Sequence, residues 1–435
     1  MSLEARIRPA FAELESLCQS LVRTPSENPP GDTTMLAAQV EAFLTALPGM
    51  EVKRIVAKDK AVNLIARLKF SQPGRRLLLN GHLDTFPAGD ASGWTHEPFG
   101  GTIEAGRLYG RGACDMKAGL AAAMMTAKVL SIAPEGLAGE LVLAFVSDEE
   151  TGGTWGTQYL LANVPEARGD AMLSADAGSP SVVRFGEKGQ LWVEVTARGK
   201  SNHGAHVHLG ENAIVRLMQS LDALRTLEAV LVPIPDGVMA AMRDAKPISE
   251  EISGPGEFDT LTHVTVNIGT ISGGTAVNII PDVATARADI RFPPGLALKD
   301  VLAQIGARLD GLHAVEWKVQ SSHEPNVTDP LEEIVHLVVK HAGIATSGKV
   351  AANMRPGFSD ARFYRAAGIP SVVYGPAPNN MGGADEYVLL EDLRAVFAVH
   401  VRVAAEYLAA REMRPGDSRS PAPETRTDAR SLRAR

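Results

Sequence analysis

Four short stretches of this chain place carboxylates and a histidine where they could do chemistry. The apolar run Arg76 to Leu79 ends in Asn80-Gly81-His82-Leu83-Asp84-Thr85, Leu141 to Ser147 ends in Asp148-Glu149-Glu150-Thr151-Gly152, and Met172 to Ser174 ends in Ala175-Asp176-Ala177-Gly178. The fourth stretch, Gly110-Arg111-Gly112-Ala113-Cys114-Asp115-Met116-Lys117, sets Asp115 in a glycine-bearing loop. Glycine lets a backbone turn sharply and approach an ion, and one carboxylate in such a loop can bridge two divalent cations. Side chains alternate along a strand, so His82 and Asp84 can face the same way, one ligating a metal while the other orients the imidazole. Three adjacent carboxylates repel one another unless cations or solvent intervene, and Asp148 to Glu150 follow a core strand instead of lying on a polar face. His82 and Asp84, Glu149 and Glu150, Asp115 and Asp176 thus form a set of nitrogen and oxygen donors suited to zinc, manganese or cobalt. A satisfied histidine beside a turn-capping aspartate, and a solvated acidic loop, are the bland alternatives. A Gly-x-Gly turn also opens dinucleotide sites, but Asp115 stands where the third glycine of that fingerprint belongs and would repel a pyrophosphate.

Buried strands that release polar residues at their C-terminal ends are the site geometry of an open α/β sheet. Helical spacing covers Ile7 to Val22 and about Thr34 to Leu47, and the Ala- and Met-rich run Met116 to Leu130 backs the Asp115 loop. From about Glu187 the pattern changes. Alternating Leu191, Val193 and Val195 predict a half-exposed strand, and the loop Gly199 to His208 leads into a helix near Asn212 to Leu227. Strands His263 to Ile271 and Val283 to Phe292, a helix Leu298 to Leu309 and a strand Val315 to Gln320 follow, in βαββαβ order. The Pro- and Gly-bearing stretch Val232 to Glu257 between them receives no element. Of His203, His206 and His208, one functional histidine with two solvent-facing neighbours is expected. From about Leu331 the first style resumes, with the loop Arg355 to Asp360, a buried strand Ser371 to Tyr374, a long loop Gly375 to Tyr387 and a final helix, about Glu391 to Arg411. The Arg-, Pro- and Ser-rich tail from Met413 is expected to be disordered.

A chain of 435 residues, 45% hydrophobic and 22% charged, is long enough for two or three packed domains. Its net charge of -8, with no basic stripe before the tail, argues against nucleic acid as a partner. Two cysteines, Cys18 and Cys114, imply no disulfide framework, and a cytoplasmic, reducing compartment is expected. No stretch has the roughly 18-residue apolar run that a membrane helix needs, and the N-terminus has no signal-peptide core.

Jointly, Gly81-His82-Leu83-Asp84, Gly106-Arg107-Leu108-Tyr109-Gly110-Arg111-Gly112 with Asp115-Met116-Lys117, Asp148-Glu149-Glu150-Thr151-Gly152 and Gly273-Gly274-Thr275-Ala276-Val277-Asn278-Ile279-Ile280-Pro281 resemble one family. It is the dinuclear metal amidohydrolases that include acetylornithine deacetylase, succinyl-diaminopimelate desuccinylase, aminoacylase and glutamate carboxypeptidase. The resemblance implies a three-layer α/β catalytic domain with a mixed sheet, residues 1–186 and 323–412, interrupted by an α+β lid and dimerisation domain, residues 187–322. It implies that His82, Asp115 and Asp176 hold one metal ion, Zn2+ or alternatively Co2+ or Mn2+, and that Asp115 and Glu150 belong to a second. By the same likeness Glu149 is the general base, Asp84 orients His82, His203 serves the oxyanion, often across a homodimer, and Asn278 and Arg291 meet the substrate. The bond between Asp115 and Met116 is expected to be cis. The reaction implied is hydrolysis of an amide or similar C-N bond in a small N-acyl amino acid, dipeptide or related carboxylate. Deamination or decarbamoylation on the same scaffold, and a non-catalytic binding protein, are the alternatives. One departure stands out: the family's usual histidine four residues before the Glu of Asp385-Glu386-Tyr387 is Gly382 here. A first ion should therefore be held firmly and a second weakly or not at all, unless Asn380, Asp385 or Glu386 substitutes.

Overall fold

The computed structural model describes residues 3–410; the tail expected to be disordered lies outside the described residues. A mixed sheet runs in the spatial order Met50–Lys58, Ala61–Lys69, Ala138–Val146, Gln72–His82, Ala171–Ser174, Ser371–Val373, Val182–Glu187, Asn326–Val327, with Ala351–Arg355 also paired to Val182–Glu187. Gln72–His82 lies parallel to both Ala138–Val146 and Ala171–Ser174. Alternation along these strands divides the core in two. Leu77, Leu79, Leu141, Leu143 and Phe145 pack with helices Phe11–Val22, Thr34–Thr45, Ala118–Ser131, Glu333–Thr346 and Leu390–Tyr407. Leu78, Val142, Ala144 and Val146 pack instead with Leu160 and Tyr364 of the short helices Thr157–Asn163 and Ala361–Ala366 on the other face. Strands buried on both faces read as unbroken apolar runs, which is why they were visible in the sequence.

A second, antiparallel sheet has the order Thr265–Gly273, Val283–Phe292, Gly189–Arg198, Val315–His323. Helices Ala213–Arg225 and Leu298–Leu309 cover one face of it and complete the βαββαβ order. Asn212 caps the first of these helices by accepting from the N–H groups of Ile214 and Val215.

The stretch Val232 to Glu257 is not an elementless connection. Asp236–Ser253 is a helix whose buried residues Val238, Met242, Ala245 and Ser249 recur at helical spacing, while Pro247 sits on its exposed side. Ile234, Val238, Met242 and Leu261 share the core of the large sheet, not that of the antiparallel one. Residues 234–261, which sequence reading placed in the smaller unit, therefore pack with the larger. Glu257 fixes them there: it accepts from Arg184 at 3.3 Å and from Ser249, which in turn accepts from Asn353 Nδ2 at 2.9 Å.

Candidate active site

The parallel register does the first work of assembly. His82 pairs with Val146 and Asn80 with Ser174, so the three strands release His82 and Asp84, Glu149 and Glu150, and Asp176 at one edge of the sheet. Asp115 reaches the same edge from the wide turn Ala113–Lys117, which joins the buried helix Ala118–Ser131. The helix can approach closely because Gly119 faces the backbone of Ala175, where a Cβ would come within 2.4 Å of a carbonyl oxygen. The peptide bond between Asp115 and Met116 is cis.

One ligand atom from each of His82, Asp115 and Asp176 lies within 4.8 Å of the others. Nitrogen and oxygen atoms on a tetrahedral ion with bonds of about 2.0 Å stand about 3.3 Å apart, so the group is compact enough for one divalent ion. His82 Nδ1 lies 2.8 Å from the backbone oxygen of Asp84, which leaves Nε2, 3.0 Å from Asp115 Oδ1, as the nitrogen that could ligate an ion. Burial depresses the His82 imidazole, but the hydrogen bond and charge of Asp115 outweigh that and hold its pKa well above the ordinary histidine value.

The Asp84 carboxylate has a task beyond the histidine. It stands 3.7 Å from His82 Nδ1, whereas its oxygens accept from the backbone N–H of Glu149 and of Glu150, each at 3.2 Å, and from Asn28 Nδ2 at 2.9 Å. Asp84 thereby orients the turn that carries Glu149 and Glu150 as well as sitting behind the imidazole. Burial raises both glutamates. Glu149 is pushed up to about 8, with His82 and Arg362 opposing the shift, and Glu150 to about 10, with the charge of Asp115 adding to burial. Asp176 is raised to about 7, by burial and then by Asp115. Glu150 Oε1 is buried without a hydrogen-bond partner among the described residues. So many desolvated carboxylates around one histidine form a donor set that a divalent cation would satisfy.

The loop expected to complete a second ion's shell is committed elsewhere. Gly382 has φ +73°, and a Cβ there would meet only the Phe86 ring at 3.6 Å. Its carbonyl oxygen and that of Gly383 accept from Arg111 Nη2 at 3.0 and 3.1 Å. Arg111 Nη1 donates to Glu386 Oε2 at 2.6 Å, and Glu386 Oε1 accepts from the backbone N–H of Cys114 and Asp115 at 3.1 and 3.3 Å. Asp385 Oδ1 takes the N–H groups of Thr95 and His96, and Asn380 Nδ2 donates to the Asp385 carbonyl oxygen. Each of the three candidate substitutes thus takes part in holding the loop, Glu386 with both carboxylate oxygens.

Residues 78–406 match the model of peptidase family M20/M25/M40. The chain belongs to that family. A succinyl-diaminopimelate desuccinylase of Cereibacter sphaeroides is 31% identical over 408 residues, covering 91% of this chain and 98% of that protein. One of Rhodospirillum centenum is 32% identical, with 92% and 98% covered. In solved structures the fold is shared with an M20 family metallo-carboxypeptidase of Sulfolobus solfataricus, at TM-score 0.74 and 19% identity over 91% of this chain and 99% of that one. It is shared also with a Bacillus subtilis protein described as a dinuclear metal binding peptidase, at TM-score 0.66 and 16% identity over 92% and 99%. Membership of this M20 family makes the chain a hydrolase acting on C-N bonds.

Three further residues expected at the site lie on the smaller unit, each with local partners. His203 is exposed, and its Nδ1 accepts from the N–H of Ala205 at 3.2 Å. Asn278 lies beside it, its carbonyl oxygen accepting from the Gly204 N–H at 2.7 Å. Arg291 is held by Asp289 at 2.8 and 3.0 Å. Sequence reading gave no role to Asn28, Arg355 or Arg362. Arg355 Nη1 lies 3.5 Å from Asp176 Oδ2 and 3.2 Å from the Ala177 carbonyl oxygen, and Arg362 Nη1 lies 3.5 Å from Glu149 Oε1. Two arginines so close together, Arg355 and Arg362, in the stretch that also carries Ser359 and Asp360, were the available signal.

Proposed function

We propose that the chain hydrolyses the amide bond of a small N-acyl amino acid or dipeptide at one firmly held divalent ion, zinc or alternatively cobalt or manganese. The observation that carries this reading is the His82, Asp115 and Asp176 group with the buried Glu149 fixed beside it through Asp84. A divalent ion at that group would polarise the substrate carbonyl and make water more acidic. Glu149 takes a proton from the attacking water as its oxygen bonds to the carbonyl carbon. The C-N bond then breaks, and Glu149 returns the proton to the leaving nitrogen, giving a carboxylic acid and a free amine that part as carboxylate and ammonium once the acid's remaining proton passes to the amine. A carboxyl held near neutrality by burial suits both halves of that exchange. His203 and Asn278, on the exposed face of the smaller unit, are assigned to the carbonyl oxygen and substrate of a partner subunit in a homodimer, and Arg291 to the substrate carboxylate side.

The names of the relatives supply the first substrates to try. Dialysed protein with added zinc, cobalt or manganese should release amine from at least one of N-succinyl-L,L-diaminopimelate, a series of N-acetyl amino acids and a series of dipeptides. Ammonia release from carbamoyl compounds alone would move the reading to decarbamoylation. Binding of these compounds without turnover would make the chain a binding protein.

A further inference from the structure

The general base proposed above has a cationic neighbour with an unusual mounting. Arg362 is buried, and its guanidinium carbon lies 4.2 Å from the ring centre of Phe363 and 4.6 Å from that of Phe358. Its Nη1 donates to the Ser359 carbonyl oxygen at 2.8 Å and stands 3.5 Å from Glu149 Oε1. The short helix that carries it, Ala361–Ala366, starts after Asp360, whose Oδ2 accepts from Thr157 Oγ1 at 2.8 Å. A guanidinium against two aromatic faces keeps its charge and loses little entropy on holding a partner, because its planar fork is already oriented. At 3.5 Å the contact with Glu149 is long for a hydrogen bond, so it can orient the carboxyl group while leaving its oxygens free for proton exchange.

Phe358 has a second set of contacts. Its ring centre lies 5.6 Å from the guanidinium carbon of Arg291, on the antiparallel sheet, and 4.9 Å from the His323 ring, which meets it edge-on where the chain returns to the large sheet. A single aromatic ring thus touches an arginine of each unit and the crossing between them.

We infer that Arg362 is a positioning residue for Glu149, clamped by Phe363 and Phe358, and that Phe358 couples its pose to Arg291 of the smaller unit. This rests on Glu149 being the base. Three readouts test it on full-length, zinc-loaded protein. In crystal structures, Arg362→Met should leave the Glu149 carboxylate displaced or split between positions, and Arg362→Lys should restore part of its order. With whichever compound of the panel releases amine, Arg362→Met should lower kcat about tenfold or more with KM within about twofold and zinc content unchanged, and Arg362→Lys should recover part of that loss. Phe358→Leu should give a smaller loss of the same kind and Phe358→Tyr almost none, which keeps the inference testable if Arg362→Met does not fold. Glu149 in one unchanged position in Arg362→Met, or a loss confined to KM, would overturn it. Glu149→Gln is measured in parallel: if it stays active the base assignment fails, whereas an inactive Glu149→Gln beside a fully active Arg362→Met removes only the positioning role.

Discussion

The carboxylates around His82 differ in what each already holds, and that difference divides their work. Asp84 is saturated by two backbone N–H groups and an amide, Glu386 by Arg111 and two backbone N–H groups, while Glu150 keeps a buried oxygen without a partner among the described residues. On the proposed reading, Glu149 is the carboxylate that exchanges a proton without surrendering an ion ligand. Glu149→Gln should therefore retain the fold and the ion and lose about 10²- to 10⁴-fold in kcat, read by amine release and metal analysis of the same sample. Asp176 gives a second expectation. Its carboxyl is raised to about 7, so below that pH it carries a proton in the ion-free site that an incoming ion must displace. His82, held well above its ordinary value, carries another. Ion affinity should fall at least about tenfold per unit as pH drops below 7, measured by competition with a chelator; a flat profile from pH 7 to pH 5 would exclude Asp176 as a ligand. Of the candidate ligands, His82 and Asp176 were legible because they follow apolar strands, and Asp115 because it stands in a glycine-bearing loop. The backbone N–H contacts of Asp84 and the Arg362 ion pair were not, since residues 65 and 213 positions apart in sequence meet only through the sheet.

At the scale of elements, the Arg111–Glu386 ion pair is the buried one among the contacts that hold the loop Gly375 to Tyr387. Arg111 and Glu386 are both almost completely buried, and Arg111 also lies 5.2 Å from the Trp94 ring. Removing one partner of such a pair leaves a bare buried charge and typically costs about 3–5 kcal/mol. Arg111→Met should lower the unfolding midpoint accordingly and weaken ion binding through Asp115, whose backbone N–H rests on Glu386; unchanged denaturation and ion content would show that the pair does not shape the site. The helix Asp236–Ser253 marks where sequence reading of elements fell short. Its buried positions do recur at helical spacing, but Pro247 and the flanking Gly254 and Gly256 are stop signals in a linear reading. Packing of Val238 and Met242 into the large core, with Pro247 facing solvent, outweighs that local cost.

On the scale of the molecule, the antiparallel unit was legible in βαββαβ order because its strands alternate and its helices are amphipathic. Which core the segment after Ala213–Arg225 joins depends on tertiary contacts such as Glu257 with Arg184, which no periodicity encodes. The dimer proposed for His203 and Asn278 has a direct consequence. Mixing inactive Glu149→Gln with inactive His203→Ala under conditions of subunit exchange should restore up to about a quarter of the activity, through hybrids with one complete site. No recovery despite proven exchange would remove His203 from a partner's site. The central claim, one firm ion at His82, Asp115 and Asp176 with a second place left incomplete by Gly382, is tested most directly by counting ions after exhaustive dialysis. About one equivalent of divalent metal per chain should remain, be lost in His82→Ala, persist in Glu149→Gln and rise in Gly382→His as far as its positive φ allows. Two equivalents retained by the unaltered chain, or none, would contradict it.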